Sequence, residues 1–312
     1  MLEDSETSGF YEQDYRLLSM SGREFFVTRY EKLGWKLEKV EPRQAIRINK
    51  MNVKGTLDIV DRLQALGVKL EKIPFLEDGY WVYESKFSVG ATTEYLLGLY
   101  SIQEPAAQIP ATLFTDLKGK RVLDACAAPG GKTVQLADLM QNSGAIIALD
   151  VKKERLRALA NQLERCWVKN AIVYPLDARQ ASRLKIRFDR ILLDVPCSGS
   201  FTLDKNWFRR RTIEDVERNA MLQREILTEA VKTLKDDGEI VYSTCSLEPE
   251  EDELNIDWAI RNLDLEVERI DCCGQEGLTD VFGTRLDSSA RNCRRIWPGQ
   301  TQGFFVCKLR KA

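Results

Sequence analysis

The chain has 312 residues, 44% of them hydrophobic, a net charge of −2 and no histidine. That length and apolar content suit one large or two modest globular domains. The absence of an eighteen-residue apolar run and of a signal peptide argues for a cytoplasmic protein outside the membrane. The missing histidine excludes Ser-His-Asp and Cys-His mechanisms and histidine metal sites, which leaves the chemistry to Asp, Glu, Lys, Tyr or Cys.

Residues 1–20 read as an acidic leader, with Glu3, Asp4, Glu6, Glu12 and Asp14 against Arg16. Phe25, Phe26, Tyr30, Leu33 and Leu37 recur at helical spacing, which predicts a helix from 22 to about 40. Next come a predicted strand over 47–53, a helix over 55–66 stopped by Gly67, and short strands over 68–73 and 80–82. This order suggests a small α/β module of the ferredoxin-like sort. Residues 21–72 carry twelve Lys/Arg against seven Asp/Glu, an excess of positive charge that a solvated face or a polyanionic partner would each account for. Trp35, Tyr80, Trp81 and Tyr83 are candidates to stack on bases, although core packing accounts for at least two of them. A short apolar helix over ATTEYLLGLY bridges to the second domain, with the boundary near residue 100.

From 101 to 312 strands and helices alternate. Apolar strands are predicted at 121–124, 145–149, 171–176, 190–193, 239–244, about 265–270 and 303–309, with helices over 152–165 and 212–234. The pattern implies an α/β fold with a doubly wound, mostly parallel seven-stranded sheet beside the smaller N-terminal domain.

The stretch RVLDACAAPGGKT joins a buried strand to a helix through a small-residue turn, where backbone N–H groups can approach a ligand closely. Gly131, Lys132 and Thr133 fit the second half of a P-loop, but Cys126 stands where its first glycine belongs, and no Gly-x-Gly-x-x-Gly is present. The remaining candidate ligand is S-adenosylmethionine. Ligands of open α/β sheets lie beyond the carboxyl ends of the strands. There the chain places Asp124, Asp150, Asp177, Asp194 and Cys245. Any one aspartate could be a helix cap; five polar residues at five equivalent places favour a site. Cys197 and Cys245 lie in loops after two of these strands, which would bring two thiols to the same rim. The remaining cysteines lack the spacing of a disulfide framework or a zinc site, and no metal is expected.

The segments LDACAAPGGKT, LLDVPCSGS, YSTCSLEPEE and TQGFFVCKL together resemble the NOL1/NOP2/Sun (RsmB-like) family of RNA cytosine-5 methyltransferases, over roughly residues 40–312. The chain looks most like the compact archaeal tRNA members. The resemblance implies a Rossmann-like S-adenosylmethionine methyltransferase fold, an RNA partner, with tRNA first and ribosomal RNA as the alternative, and a monomer; the rival reading is a non-catalytic RNA-binding assembly factor with the same fold. It implies Cys245 as the nucleophile, Cys197 assisting product release, and Asp194 holding the cytosine edge. It also implies cofactor binding by Asp124, Ala127, Ala128, Pro129, Gly130, Gly131, Lys132, Asp150, Arg155, Asp177 and Asp194, with Lys132 shared between cofactor and base. The chain departs from the family where relatives commonly carry a histidine before the last strand and it has Gln300. The stretch FTLDKNWFRRR after Ser200 is more basic than expected.

Overall fold

A computed structural model describes residues 21–36, 40–52 and 55–312. The predicted acidic leader, the end of the first predicted helix and Val53 lie outside them. Helix α1 (Arg23–Lys32) turns Phe25, Phe26, Arg29 and Tyr30 inward on one face, as the i, i+4 spacing requires. Phe26 meets Trp207 edge to face at 4.6 Å, which seats α1 on the later part of the chain.

The N-terminal unit contains β1 (Ala45–Ile48), α2 (Thr56–Ala65), β2 (Lys69–Lys72), β3 (Gly79–Glu84) and β4 (Tyr100–Ile102). The sheet order is β2-β3-β1-β4, with all pairs antiparallel, the split β-α-β arrangement. Two elements differ from the sequence expectation. The strand predicted over 47–53 is Ala45–Ile48, and a 3-10 turn (Lys50–Asn52) follows because Asp138 accepts the Lys50 and Met51 amides at 3.0 and 2.8 Å. The helix expected over ATTEYLLGLY shrinks to Thr93–Leu96. Gly98 breaks it at φ 72°, where a Cβ would collide with the Arg165 carbonyl, and the chain then enters the N-terminal sheet as β4. Tyr80 and Trp81 are buried, Trp35 stacks on Trp297 at 5.5 Å, and Tyr83 is exposed under the Arg43 guanidinium.

The second unit runs β5 (Arg121–Asp124), α3 (Gly131–Leu139), β6 (Ala145–Asp150), α4 (Lys153–Arg165), β7 (Ala171–Pro175), β8 (Phe188–Asp194), α5 (Ile213–Thr233), β9 (Leu234–Thr244), α6 (Glu253–Leu263), β10 (Leu265–Glu268), β11 (Gln275–Glu276), the hairpin β12 (Asp280–Val281) and β13 (Thr284–Arg285), β14 (Arg294–Ile296) and β15 (Phe304–Lys311). Among the described residues the main sheet has nine strands, two more than predicted. Its order is β11-β14-β15-β9-β8-β5-β6-β7, with β10 also on β15. β7, β6, β5, β8 and β9 are parallel, and β15 is antiparallel to β9. The extra strands, β11 and β14, are too short to show a period, and two of the three β14 residues are buried arginines. The chain winds outward from β5 through β6 to β7, then returns across the sheet to β8. This puts the switch point, and the crevice it opens, at the ends of β5 and β8.

Candidate active site

β5 ends in Asp124, which is buried beneath the small-residue turn. Thr133, in the first turn of α3, donates to Asp124 Oδ2 at 2.7 Å, while Oδ1 is buried with no partner among the described residues. Burial pushes the Asp124 carboxyl up to about 7, reinforced by the charge of Asp194 and opposed by Thr133 and Lys132. Gly130 enters α3 at φ 110°, and a Cβ there would lie 2.9 Å from Leu159 on α4, so the turn needs a glycine to press against that helix. A pocket of about 180 Å³ opens over the turn, lined by Asp124, Ala127, Ala128, Pro129, Gly131, Lys132 and Asp194. Gln103 and Ala107, from the segment after β4, close its other side.

Cys126 separates this pocket from a second one of about 180 Å³, which holds Asp150, Arg155 and Asp177 against apolar walls from Val151, Leu176, Pro196, Leu222 and Ile226. Arg155 spans the two, donating to Ala128 O at 2.5 Å and pairing with Asp150 at 3.4 Å. Asp177 accepts from the Arg179 amide and pairs with its guanidinium at 2.7 Å, and that guanidinium holds the Asp177 carboxyl below its usual range. Burial pushes the Cys126 thiol well up, which suits a packing role rather than a thiolate. Gly130 lines neither pocket; its part is the turn itself.

At the switch point Lys132 Nζ donates to Asp194 Oδ2 at 2.7 Å, and Ser243 donates to Oδ1 at 3.0 Å. Burial alone would lower the Lys132 ammonium, but Asp194 outweighs it and the net shift is upward. Lys132 also lies 5.7 Å over the Phe304 ring. It is therefore an obligate cation beside the acid. The loops after β8 and β9 carry Cys197 and Cys245, whose sulfurs are 3.1 Å apart. That distance is contact without a bond, since a disulfide needs about 2.05 Å. The hydrogen bond to Cys245, together with burial, pushes the Cys197 thiol well up, so Cys197 is a protonated neighbour to the other sulfur.

Behind the thiols, the carboxylates of Glu248, Glu251, Asp252 and Glu253 are fully buried. Arg29 of α1 reaches Glu248 at 3.2 Å and Glu250 at 2.7 Å, and the Tyr30 hydroxyl donates to Glu248 at 2.7 Å. Arg295 of β14 pairs with Asp252 at 3.2 Å and with Glu253. Two cations from opposite ends of the chain thus clamp the segment after Cys245.

The structure brings the predicted strand-end acids, the turn and both thiols to one rim. Sequence reasoning missed Thr133, Ser243, Gln103, Arg29 and Glu251. The only sequence signal for the last two was the acid-rich LEPEEDE directly after the thiol, a run that usually marks a solvated surface.

Known proteins resemble this chain in sequence and in fold. The family model described as 16S rRNA methyltransferase RsmB/F matches residues 111–310, and that for the N-terminal domain of 16S rRNA methyltransferase RsmF matches residues 22–105. The tRNA (cytosine(49)-C(5))-methyltransferase of Pyrococcus abyssi is 33% identical, covering 96% of this chain and 99% of the relative. The 28S rRNA (cytosine-C(5))-methyltransferase of Mus musculus is 37% identical over 81% of this chain but only 33% of its own. The ribosomal RNA small subunit methyltransferase F of Aeromonas salmonicida is 35% identical over 86% of this chain and 58% of its own. The chain therefore spans less than two thirds of either ribosomal RNA relative. Among solved structures, a methyltransferase homolog protein from Pyrococcus horikoshii superposes with a TM-score of 0.83 at 35% identity, covering 94% of this chain and 96% of that one. NSun6 from Pyrococcus horikoshii, solved with the S-adenosylmethionine analogue SFG, gives a TM-score of 0.75 at 25% identity over 87% of this chain and 91% of its own. With residues 111–310 matched by the family model and a relative matched along nearly its whole length, the chain belongs to the RsmB/F family of methyltransferases.

Proposed function

We propose that this chain transfers a methyl group from S-adenosylmethionine to carbon 5 of cytosine in RNA, and that the RNA is tRNA. The observation that carries the reading is the pair of thiols 3.1 Å apart at the ends of two adjacent parallel strands, beside a lysine-paired aspartate. Cys166, Cys293 and Cys307 are buried, and Cys197 and Cys245 are half-buried, as are Cys126, Cys272 and Cys273; what sets the pair apart is its place at two adjacent strand ends.

The pockets fit the cofactor. Asp124 Oδ1, buried and unpartnered, suits the ammonium of an amino acid moiety, and the side-chain-poor turn leaves room beside it. Asp150 suits ribose hydroxyls, and the apolar walls from Val151 to Ile226 suit an adenine ring, with Asp177 at their edge. When bound there, S-adenosylmethionine supplies an electrophilic methyl group.

Carbon 5 of neutral cytosine is a weak nucleophile, and addition of a thiolate at carbon 6 makes it an enamine carbon. Cys245 Sγ forms that bond, and the ring electron pair shifts toward carbon 5. Asp194, held in place by Lys132 and Ser243, accepts from the base's N4 amino group and fixes the N3/N4 edge, and the Lys132 ammonium paired with it offsets the negative charge that the addition drives onto the ring. After methylation, loss of the carbon-5 proton to solvent restores the ring and returns the C6–S pair to Cys245. Cys197, protonated and in contact with that sulfur, eases its departure by hydrogen bonding. The target base must be single-stranded or flipped out to be reached in this way. We read the basic N-terminal unit, with Lys205 and Arg209 to Arg211, as the surface that grips the RNA backbone.

The tRNA assignment is supported by the relative that this chain matches over 99% of its length. The test is transfer of a tritiated methyl group to tRNA and rRNA transcripts. Cys245→Ala is expected to lose transfer while binding S-adenosylmethionine within about twofold of the parent. Cys197→Ala is expected to accumulate a protein–RNA adduct on a denaturing gel. Transfer by Cys245→Ala sinks the mechanism, and methylation confined to rRNA sinks the substrate.

A further inference from the structure

The two thiol loops run side by side for more than the sulfurs. Cys197 and Cys245 approach to 3.1 Å, and the serines next to them in the chain, Ser198 and Ser246, approach to the same 3.1 Å through their hydroxyls. One carboxylate lies behind both loops. Glu251, which itself belongs to the segment after Cys245, accepts from the Ser198 amide at 2.8 Å and from the Ser198 hydroxyl at 2.7 Å, and that hydroxyl in turn meets Ser246. Gln223 of α5 joins the same group, donating to Pro196 O at 2.8 Å and to Glu251 at 3.4 Å. The Tyr242 hydroxyl fixes the Glu251 backbone by donating to its carbonyl at 2.6 Å.

Taking a carboxylate out of water costs several kcal/mol, and an apolar side chain of similar size would fill the space at less cost. What an apolar side chain lacks is a pair of acceptor oxygens that tie the segment after Cys245, to which Glu251 belongs, to the amide and hydroxyl of Ser198 in the other loop. Beside that link, the two loops meet at the thiols and serines, and closer to the strands through the Val195 amide, which donates to Ser243 O at 3.1 Å. We propose that Glu251 is a positioning residue that yokes the Cys197 and Cys245 loops and so sets the distance between the two sulfurs. Its catalytic consequence rests on the function proposed above; its geometric content does not.

The test reads the sulfur separation directly, with no RNA or cofactor present. The purified full-length chain is treated with diamide, which takes two electrons and two protons from the thiols as their S–S bond forms, and the Cys197–Cys245 peptide is quantified by mass spectrometry over time. Glu251→Ala and Glu251→Asp, the latter one methylene too short to hold both loops, are each expected to close at least about tenfold more slowly than the parent, because an ångström of misplacement costs on that order. Glu251→Gln, of the same length, is expected to stay within about threefold of the parent. Methyl transfer should change in step, with kcat falling in Glu251→Ala while KM for S-adenosylmethionine holds. Thermal melts select the folded variants, and Glu251→Asp is read alone if Glu251→Ala does not fold. Closure at the parental rate in the shortened variants overturns the yoke. Slowed closure in a chain that methylates no RNA upholds the yoke and sinks the proposed function.

Discussion

The two halves of the rim are built differently. In the second pocket, on the side proposed for the cofactor, the acids find their partners nearby in the chain: Asp150 accepts from the Lys152 amide and pairs with Arg155, and Asp177 pairs with Arg179. On the thiol side partners are 48 residues apart for Cys197 and Cys245, 53 for Ser198 and Glu251, and 219 for Arg29 and Glu248. The acids of the first half are placed by their own strand ends. Those of the second exist only once the β8 and β9 loops, α1 and β14 have come together. Damage should therefore stay local in one half and spread in the other.

The largest expected effect on stability is at Arg29. Arg29→Ala leaves Glu248 buried without its nearest cation, and breaking such a pair costs about 3–5 kcal/mol. Urea unfolding at pH 8 should show this loss. At pH 5 the loss should be smaller, because burial already raises the Glu248 carboxyl and lets it take up a proton.

The second expectation concerns pH. Burial pushes Glu104, Asp124 and Glu251 up to about 7 each. A carboxyl raised in the folded state binds its proton more tightly there than in the unfolded chain. Its contribution is complete below the unfolded value and is lost as pH rises through the folded one. Stability should therefore fall between pH 5 and 8, by up to about 3 kcal/mol per group. Glu104→Gln or Asp124→Asn should flatten the curve of unfolding free energy against pH. A curve that rises over this window contradicts the burial of these acids.

Affinity for S-adenosylmethionine should move the other way. If the ionised Asp124 holds the cofactor's ammonium, titration calorimetry should show binding tightening about tenfold from pH 6 to 8. Asp124→Asn should bind more weakly and show no slope. The smallest stability change is expected at Arg155, a half-exposed partner of Asp150. Arg155→Ala should cost less than about 1 kcal/mol in stability while weakening cofactor binding several-fold. If Arg155→Ala destabilises the chain as much as Arg29→Ala, the contrast between the two halves is wrong.

The sequence alone determined the β5 strand, the turn of Ala127 to Gly131 and α3, the run of parallel strands, and the identity of the residue ending each. These are properties of contiguous chain: alternating and helical periods, glycines where φ must be positive, and an acid or thiol where an apolar run stops. Only the tertiary structure decided that Tyr100–Ile102 joins the N-terminal sheet, that β11 and β14 extend the main one, and that Glu248, Glu251, Asp252 and Glu253 are buried rather than solvated. A carboxylate's place depends on cations and amides that are distant in the chain and close in the fold. Arg29 and Arg295 reach the segment after Cys245 only when the molecule is assembled, and no local pattern records that meeting.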